Sequence, residues 1–351
     1  MNAGVLTDRE RAVLEAVIRS YVETAEPAGS RSVARRFGLG VSAATIRNTM
    51  ADLEEKGFLY HPHTSAGRIP TDLAYRFYVD ALMRPVRLSA GEQRRLRREL
   101  SERDESGELE LLVRRAAQAL GLLTGDLGLA IVPRLEEAIL EKLEMVSLSS
   151  EKVLLVLSLR NGAVRTVYVD LPANVPAATL VSLTRVLNER LAGQTLSEIR
   201  QTLPERLRDA TDADDTTTHE LLNIFLQSAE EAFDVQDTVG DQVHLGRASL
   251  LANQPEFADG TKLKSLIELT ERRDLLANVL TQRPHETTLK ITIGAEHTQP
   301  ELQQFTLVTS EYRLGGLSGV LGVIGPTRMP YEKIATIVET TSTLLSGLMV
   351  R

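Results

Sequence analysis

Residues 39–71, LGVSAATIRNTMADLEEKGFLYHPHTSAGRIPT, constrain the fold more than any other stretch. Ser42 is a good helix N-cap and Gly57 a good C-terminal stop. Between them Ala43, Ile46, Met50 and Leu53 recur at spacings of three and four, which makes one apolar helical face. Thr45, Asn48 and Asp52 lie roughly opposite, with Arg47 at the flank. The acids Asp52, Glu54 and Glu55 all fall in the second half, so only the first half can approach a polyanion closely. That half carries Ser42, Thr45, Arg47 and Asn48, the residue types that read base edges and phosphates. Alone, the segment would pass for an ordinary amphipathic surface helix, and its flanks change the reading. Upstream, GSRSVARRFGLG predicts a second short helix over 30–37 that starts with Ser30 and Arg31 and is closed by Gly38. Downstream, FLYHPHTSAGRIP predicts two short strands around a turn carrying Thr64, Ser65, Gly67 and Arg68. Helix, tight turn, helix and basic hairpin, in this order, describe a winged helix-turn-helix.

Charge distribution agrees with DNA as the partner. The chain of 351 residues carries a net charge of −8, yet residues 27–71 hold six bases against three acids, a local 6 − 3 = +3. A confined positive surface suits specific docking rather than general adhesion. The absence of cysteine excludes disulfides, Cys-type zinc sites and thiol catalysis. MNAGVLTDRE lacks the apolar core of a signal peptide and no apolar run approaches a membrane span, so a soluble, cytoplasmic protein with no membrane partner is expected. His61 and His63 stand two apart without further ligands, and the six histidines form no hydrolase pattern. Gly319, Gly322 and Gly325 repeat every three residues, which is neither a P-loop nor a dinucleotide fingerprint; they read as close strand packing. No catalytic residue, metal or cofactor is expected, and the chain does not read as an enzyme. Seven of the 14 aromatics lie in the first 80 residues and read as the core of a small module.

Along the chain, a first helix opens at Thr7, where Thr7 and Glu10 form a capping-box pattern, and Pro27 ends it. A helix over 71–82 leaves the hairpin. A second capping box, Ser89 and Glu92, opens a helix over 89–103 studded with Arg94, Arg95, Arg97 and Arg98, read as a solvated linker. ESGE at 105–108 is the expected boundary. Beyond it the pattern is α+β: a helix ending near Gly121, strands in LGLAIVP and LEMVSLS, and a hairpin in KVLLVLSLRNGAVRTVYVDL, where Asn161-Gly162 suits a type I′ turn. Pro176 starts a mostly helical block reaching about 238, with an acidic loop at 210–219. Strands return in QVHLG, TLKITIG, FTLVTS and SGVLGVIGP, with helices over 261–280 and 331–349. A sheet resuming after a helical block suggests an insertion within one α+β domain.

Two long segments carry a closer resemblance. PAGSRSVARRFGLGVSAATIRNTMADLEEKGFL with HTSAGRIPTDLAYRFYVD resembles the N-terminal module of the HrcA family of heat-inducible transcription repressors. TLVTSEYRLGGLSGVLGVIGPTRMPYEKI resembles that family's C-terminal signature, while between about 105 and 300 the resemblance is patchy, with QVHLGRASLLANQPEF its best piece. The resemblance implies a GAF-like domain interrupted by an inserted dimerising domain. The expected layout is a winged helix-turn-helix over 1–84, a linker helix over 85–104, a GAF-like domain in two parts (105–175 and 241–351), and the insert over 176–240. The expected function is repression of chaperone operons by a homodimer on an inverted-repeat operator, with chaperonin as modulator. Expected DNA contacts are Ser30, Arg31, Ser42, Thr45, Arg47, Asn48, Thr64, Ser65 and Arg68. The alternative is a winged-helix metabolic regulator with a small effector in the GAF-like domain.

Overall fold

The computed structural model describes residues 6–63, 66–84, 86–101, 109–133, 137–149, 152–160, 164–170, 176–208, 243–282, 288–314 and 317–348. The backbone divides into two compact units: Met1–Ala130 with Val243–Glu311 and Leu321–Ser342, and Ile131–Gln242 with Tyr312–Val320 and Thr343–Arg351.

The first unit begins with α1 (Asp8–Thr24). Its capping box forms as expected: the Thr7 amide and hydroxyl donate to Glu10 Oε2 at 2.8 and 2.9 Å. Val13, Leu14, Val17 and Ile18 are buried along it. Next come α2 (Ser30–Phe37) and α3 (Ala43–Glu55), which bury Val33 and Ile46, Met50 and Leu53 respectively. Ser42 Oγ accepts the Thr45 amide at 3.1 Å and starts α3. At the other end Gly57, at φ 80°, lets its own amide reach Glu54 O and the Phe58 amide reach Leu53 O, both at 2.9 Å. This double bond pattern is a Schellman stop, which satisfies the last carbonyls of the helix.

Two-residue strands β1 (Leu59–Tyr60) and β2 (Ile69–Pro70) then pair antiparallel. Arg68, just before β2, exchanges two backbone hydrogen bonds with Ala28, at 2.9 and 3.0 Å. That approach requires glycine at 67, since a Cβ there would lie 2.5 Å from Pro27 O. Helix α4 (Asp72–Phe77) follows and widens into a π turn over Tyr78–Leu82. The expected single helix over 71–82 therefore changes its winding halfway. Helix α5 (Ala90–Ser101) carries the second capping box, and α6 (Leu109–Thr124) follows. The latter runs past the expected stop at Gly121, and Gly125 at φ 78° ends it.

Strands β3 (Leu127–Ile131), β4 (Leu140–Ser147), β5 (Lys152–Leu159) and β6 (Val164–Asp170) precede α7 (Ala177–Leu191) and α8 (Leu196–Arg208). The chain then gives β7 (Val243–Leu245), α9 (Ala248–Ala252), α10 (Gly260–Glu271), α11 (Arg273–Thr281), β8 (Leu289–Ile293), β9 (Phe305–Leu314), β10 (Leu317–Pro326) and α12 (Tyr331–Leu348). Two larger sheets result, of orders β7-β3-β10-β9-β8 and β4-β5-β6. At Gly322 a Cβ would collide with Val308 O of β9, and at Gly319 with the Tyr312 ring. At Gly325 a Cβ would lie 2.5 Å from the Asp126 carboxyl, so close packing is what all three spaced glycines do.

The second unit holds the three-stranded sheet. One face, with Leu143, Leu155, Leu157 and Val169, packs against Leu183, Leu187, Leu191 and Ile199 of α7 and α8. Asn188 fixes α7 to the sheet edge, accepting the Leu143 amide at 2.8 Å and donating to its carbonyl at 2.7 Å. The expected first part of the GAF-like domain is 105–175, but of the strands in that stretch only β3 joins the five-stranded sheet. The reason is pairing: β4 and β6 both bond to β5, a closed local meander that needs no other strand. The Asn161-Gly162 turn and the acidic loop at 210–219 lie outside the described residues.

Candidate nucleic-acid interface

The six basic residues between 27 and 71 sort into two groups. Arg36 pairs with Glu23, Lys56 with Glu10 at 2.5 Å, and Arg68 with Glu54 at 2.7 Å. The Lys56 ammonium is the main reason the Glu10 carboxyl is held below its ordinary range, with the Thr7 amide next. These three cations consolidate the module. Arg31, Arg35 and Arg47 are exposed and have no ionic partner among the described residues. Arg31 and Arg35 stand one turn apart on α2, and Arg47 stands in the first half of α3 beside the exposed Asn48. Asp52, Glu54 and Glu55 stay at the far end of α3, so the free positive charge and the acids occupy opposite ends of the helix.

Several expected contacts have other work. Ser30 is only 9% exposed, because it sits in the first turn of α2 with its side chain packed inward. Ser42 and Thr45 hydroxyls lie 3.0 Å apart, and Ser42 also caps the helix, so both are tied to its first turn. Arg68 was expected to grip phosphate from the wing. Instead its side chain lies over Glu54, whose other oxygen meets His61, and the Arg68 backbone bonds Ala28. Arg68 thus ties the base of the hairpin to the end of α3 and to the turn before α2. Thr64 and Ser65 lie outside the described residues. Arg35 entered the sequence reading only as a charge; its i, i+4 spacing from Arg31 was the available signal.

The helix that leaves the hairpin is keyed to the five-stranded body by polar contacts. Arg76 places its fork on Glu296 with two bonds of 2.6 Å and donates to Ile291 O at 2.6 Å. Burial tends to raise the Glu296 carboxyl, but Arg76 and the Ile293 amide outweigh it and hold the group below its ordinary range. Asp72 accepts the Ala295 amide at 3.0 Å, and Tyr78 OH donates to Glu332. Tyr75 and Tyr331 rings lie 5.6 Å apart. Arg328 donates to Val22 O at 2.7 Å while pairing with Glu256.

An exposed helix end bearing Arg47 and Asn48, beside a short hairpin and a second helix whose Arg31 and Arg35 have no ionic partner among the described residues, has the charge and shape suited to a DNA-binding transcription regulator. Comparison with known proteins specifies it further. Residues 110–335 match the family model described as HrcA protein C terminal domain. Three proteins named heat-inducible transcription repressor HrcA align almost end to end. The one from Chlorobium phaeovibrioides is 36% identical over 97% of this chain and 96% of its own. For Chlorobium phaeobacteroides strain BS1 the values are 39%, 95% and 96%, and for Pelotomaculum thermopropionicum 34%, 99% and 97%. The chain belongs to the HrcA family of heat-inducible transcription repressors. A solved structure titled only as a hypothetical protein shares the fold, with a TM-score of 0.62 at 22% identity over 97% of this chain and 98% of that one. No helix among the described residues is long and apolar enough to cross a membrane.

Proposed function

We propose that the protein represses chaperone operons in the cytoplasm as a homodimer, each winged helix-turn-helix occupying one half of an inverted-repeat operator. The first half of α3 enters the major groove, where Arg47 and Asn48 read base edges. Arg31 and Arg35 hold the flanking phosphates and fix the register. The carrying observation is the sorting of charge between residues 27 and 71: Arg36, Lys56 and Arg68 each have a carboxylate, whereas Arg31, Arg35 and Arg47, with none among the described residues, lie on α2 and the first half of α3.

Dimerisation belongs to the inserted domain, which we take to include β4–β6 with α7 and α8. Its support is the second face of that sheet. Val146, Leu154 and Tyr168 stand opposite one another across the three strands. Val146 is 45%, Val164 63% and Tyr168 71% exposed, more apolar surface than a solvated sheet face needs. Covering this face with its copy would give the isologous contact of a two-fold dimer, matching the symmetry of an inverted repeat.

The chaperonin dependence implied by family membership enters through folding. The five-stranded sheet takes β3 before the insert and the other four strands after it, so its completion waits on pairings distant in sequence. Chaperonin would raise the fraction of active molecules and leave their operator affinity unchanged. A footprint of the purified protein on its own promoter, combined with titration of active molecules before and after adding chaperonin, tests the whole reading. The expected result is a symmetric footprint whose occupancy rises with chaperonin at constant affinity. A shift in affinity at constant active fraction would make chaperonin an allosteric ligand, and no protected site would refute the repressor mechanism.

A further inference from the structure

A cavity of about 150 Å³ opens beside the edge of the five-stranded sheet, between α11, β8, β9 and the turn after β8. Leu280 and Leu307 supply its apolar wall, and Lys290, Thr292, Glu296, His297 and Thr309 its polar one. We propose that this cavity binds a small monocarboxylate anion and that its occupancy is coupled to the docking of the DNA-binding module.

Charge selects the class of ligand. Besides Lys290 the cavity wall has two titratable groups, and neither adds an uncompensated negative charge: Glu296 is covered by the Arg76 fork and by the Ile293 amide at 2.8 Å. His297 is neutral, because burial holds the ring below its ordinary range against the opposing pull of Glu296 and of the backbone at Thr292 and Phe305. Its Nε2 is buried and makes no hydrogen bond. The Lys290 ammonium therefore leaves the cavity with a net positive charge, and the Thr292 hydroxyl offers a donor to an anion beside it, while the Thr309 hydroxyl is turned to the Lys290 carbonyl. Size limits the rest. A void of this volume takes a molecule of about six heavy atoms, which is a short-chain carboxylate lying with its tail on Leu280 and Leu307.

Coupling follows from Glu296, which both lines the cavity and grips Arg76 of α4, the helix that follows the hairpin. A carboxylate bound at Lys290 puts a second negative charge near this ion pair, so ligand and module are linked. Linkage is reciprocal: operator DNA must change carboxylate affinity by the factor by which carboxylate changes operator affinity.

The test uses the full-length protein with linear carboxylates from acetate to hexanoate, and butyramide as an uncharged match to butyrate. Calorimetry without DNA should give one saturable site per chain that prefers the carboxylate to the amide, and Lys290→Gln should weaken it by about tenfold or more. Lys290 is exposed, so folding should survive, and an unchanged thermal melt verifies it. Operator affinity at constant ionic strength should shift in the wild type on saturation and stay fixed in Lys290→Gln. Equal binding of butyramide and butyrate, undiminished binding by Lys290→Gln, or no saturable binding across the series would overturn the site. Binding without any shift at the operator would overturn the coupling. The coupling rests on the operator-binding reading, which fails separately: its failure appears as no operator binding in carboxylate-free protein, whatever calorimetry shows.

Discussion

Asp126 is a carboxyl group placed where folding works against its charge. It is 2% exposed, at the turn between α6 and β3, and accepts one hydrogen bond from Gln254 Nε2 at 2.8 Å. Burial pushes its pKa up to about 7, against the smaller pull of Gln254 and Arg328. The folded protein therefore keeps this proton up to about pH 7, whereas the unfolded chain releases it near pH ~3.9. Between those values the folded state binds more protons, so stability falls as pH rises and levels off above about 7. Three units at about 1.4 kcal/mol each set an upper limit of about 4 kcal/mol. Asp126→Asn keeps an acceptor for Gln254 and removes the charge. It should stabilise the protein at pH 8 by up to about 4 kcal/mol and have little effect at pH 4, where the aspartate is already neutral in the fold. With no tryptophan in the chain, urea unfolding followed by far-UV circular dichroism is the suitable assay. Comparing variant and wild type at each pH cancels every other titrating group. A stability difference that does not change between pH 4 and 8 would refute the reasoning.

Other consequences are equally open to measurement. Arg47→Ala and Asn48→Ala should each cost about 1–3 kcal/mol of operator discrimination while far-UV circular dichroism stays unchanged; binding that survives the double variant would reject α3 as the reading helix. Arg68→Ala should lower the thermal midpoint, because it releases the hairpin base and leaves Glu54 with His61 alone, and Glu54→Gln should produce much of the same loss; a weakened operator complex with an unchanged melt would make Arg68 a direct DNA contact. Removing Arg76 and Glu296 singly and together should give a coupling energy of about 1–3 kcal/mol, since the pair is bidentate and part-buried; additive effects would mean that the ion pair contributes nothing to docking. Tyr168→Asp, on the exposed sheet face, should shift sedimentation from dimer to monomer without unfolding the insert, and a variant that still sediments as a dimer would place the contact elsewhere.

The local syntax of the first 101 residues was legible because it is written in short-range terms. Thr7 with Glu10, Ser42 with Thr45, Ser89 with Glu92 and the glycines at 38 and 57 each act within a few residues, and each marks an element end. The free or occupied state of each arginine was not legible. Arg68 and Arg47 look alike as residues, and only folding brings Glu54 to one of them and to the other none. Sheet membership escaped for a related reason: the apolar alternation of 152–159 signals a strand but does not name its partners. Arg76 was hidden most completely, since its carboxylate partner lies 220 residues further along the chain.

That separation has a consequence on the ribosome. The first module is complete in sequence once α4 has been made, but Glu296, Tyr331 and Glu332, against which α4 and its π turn rest, are made last. At about 5–20 residues per second, a delay of 220 residues leaves Arg76 with Asp80 alone, and without Glu296, for roughly 10–40 seconds. During that interval the side chains of α4 and its π turn that rest on the body have no partner there, although the sequence of α3 has already been made. Each nascent chain thus carries the whole first module before it has the body to which α4 is keyed.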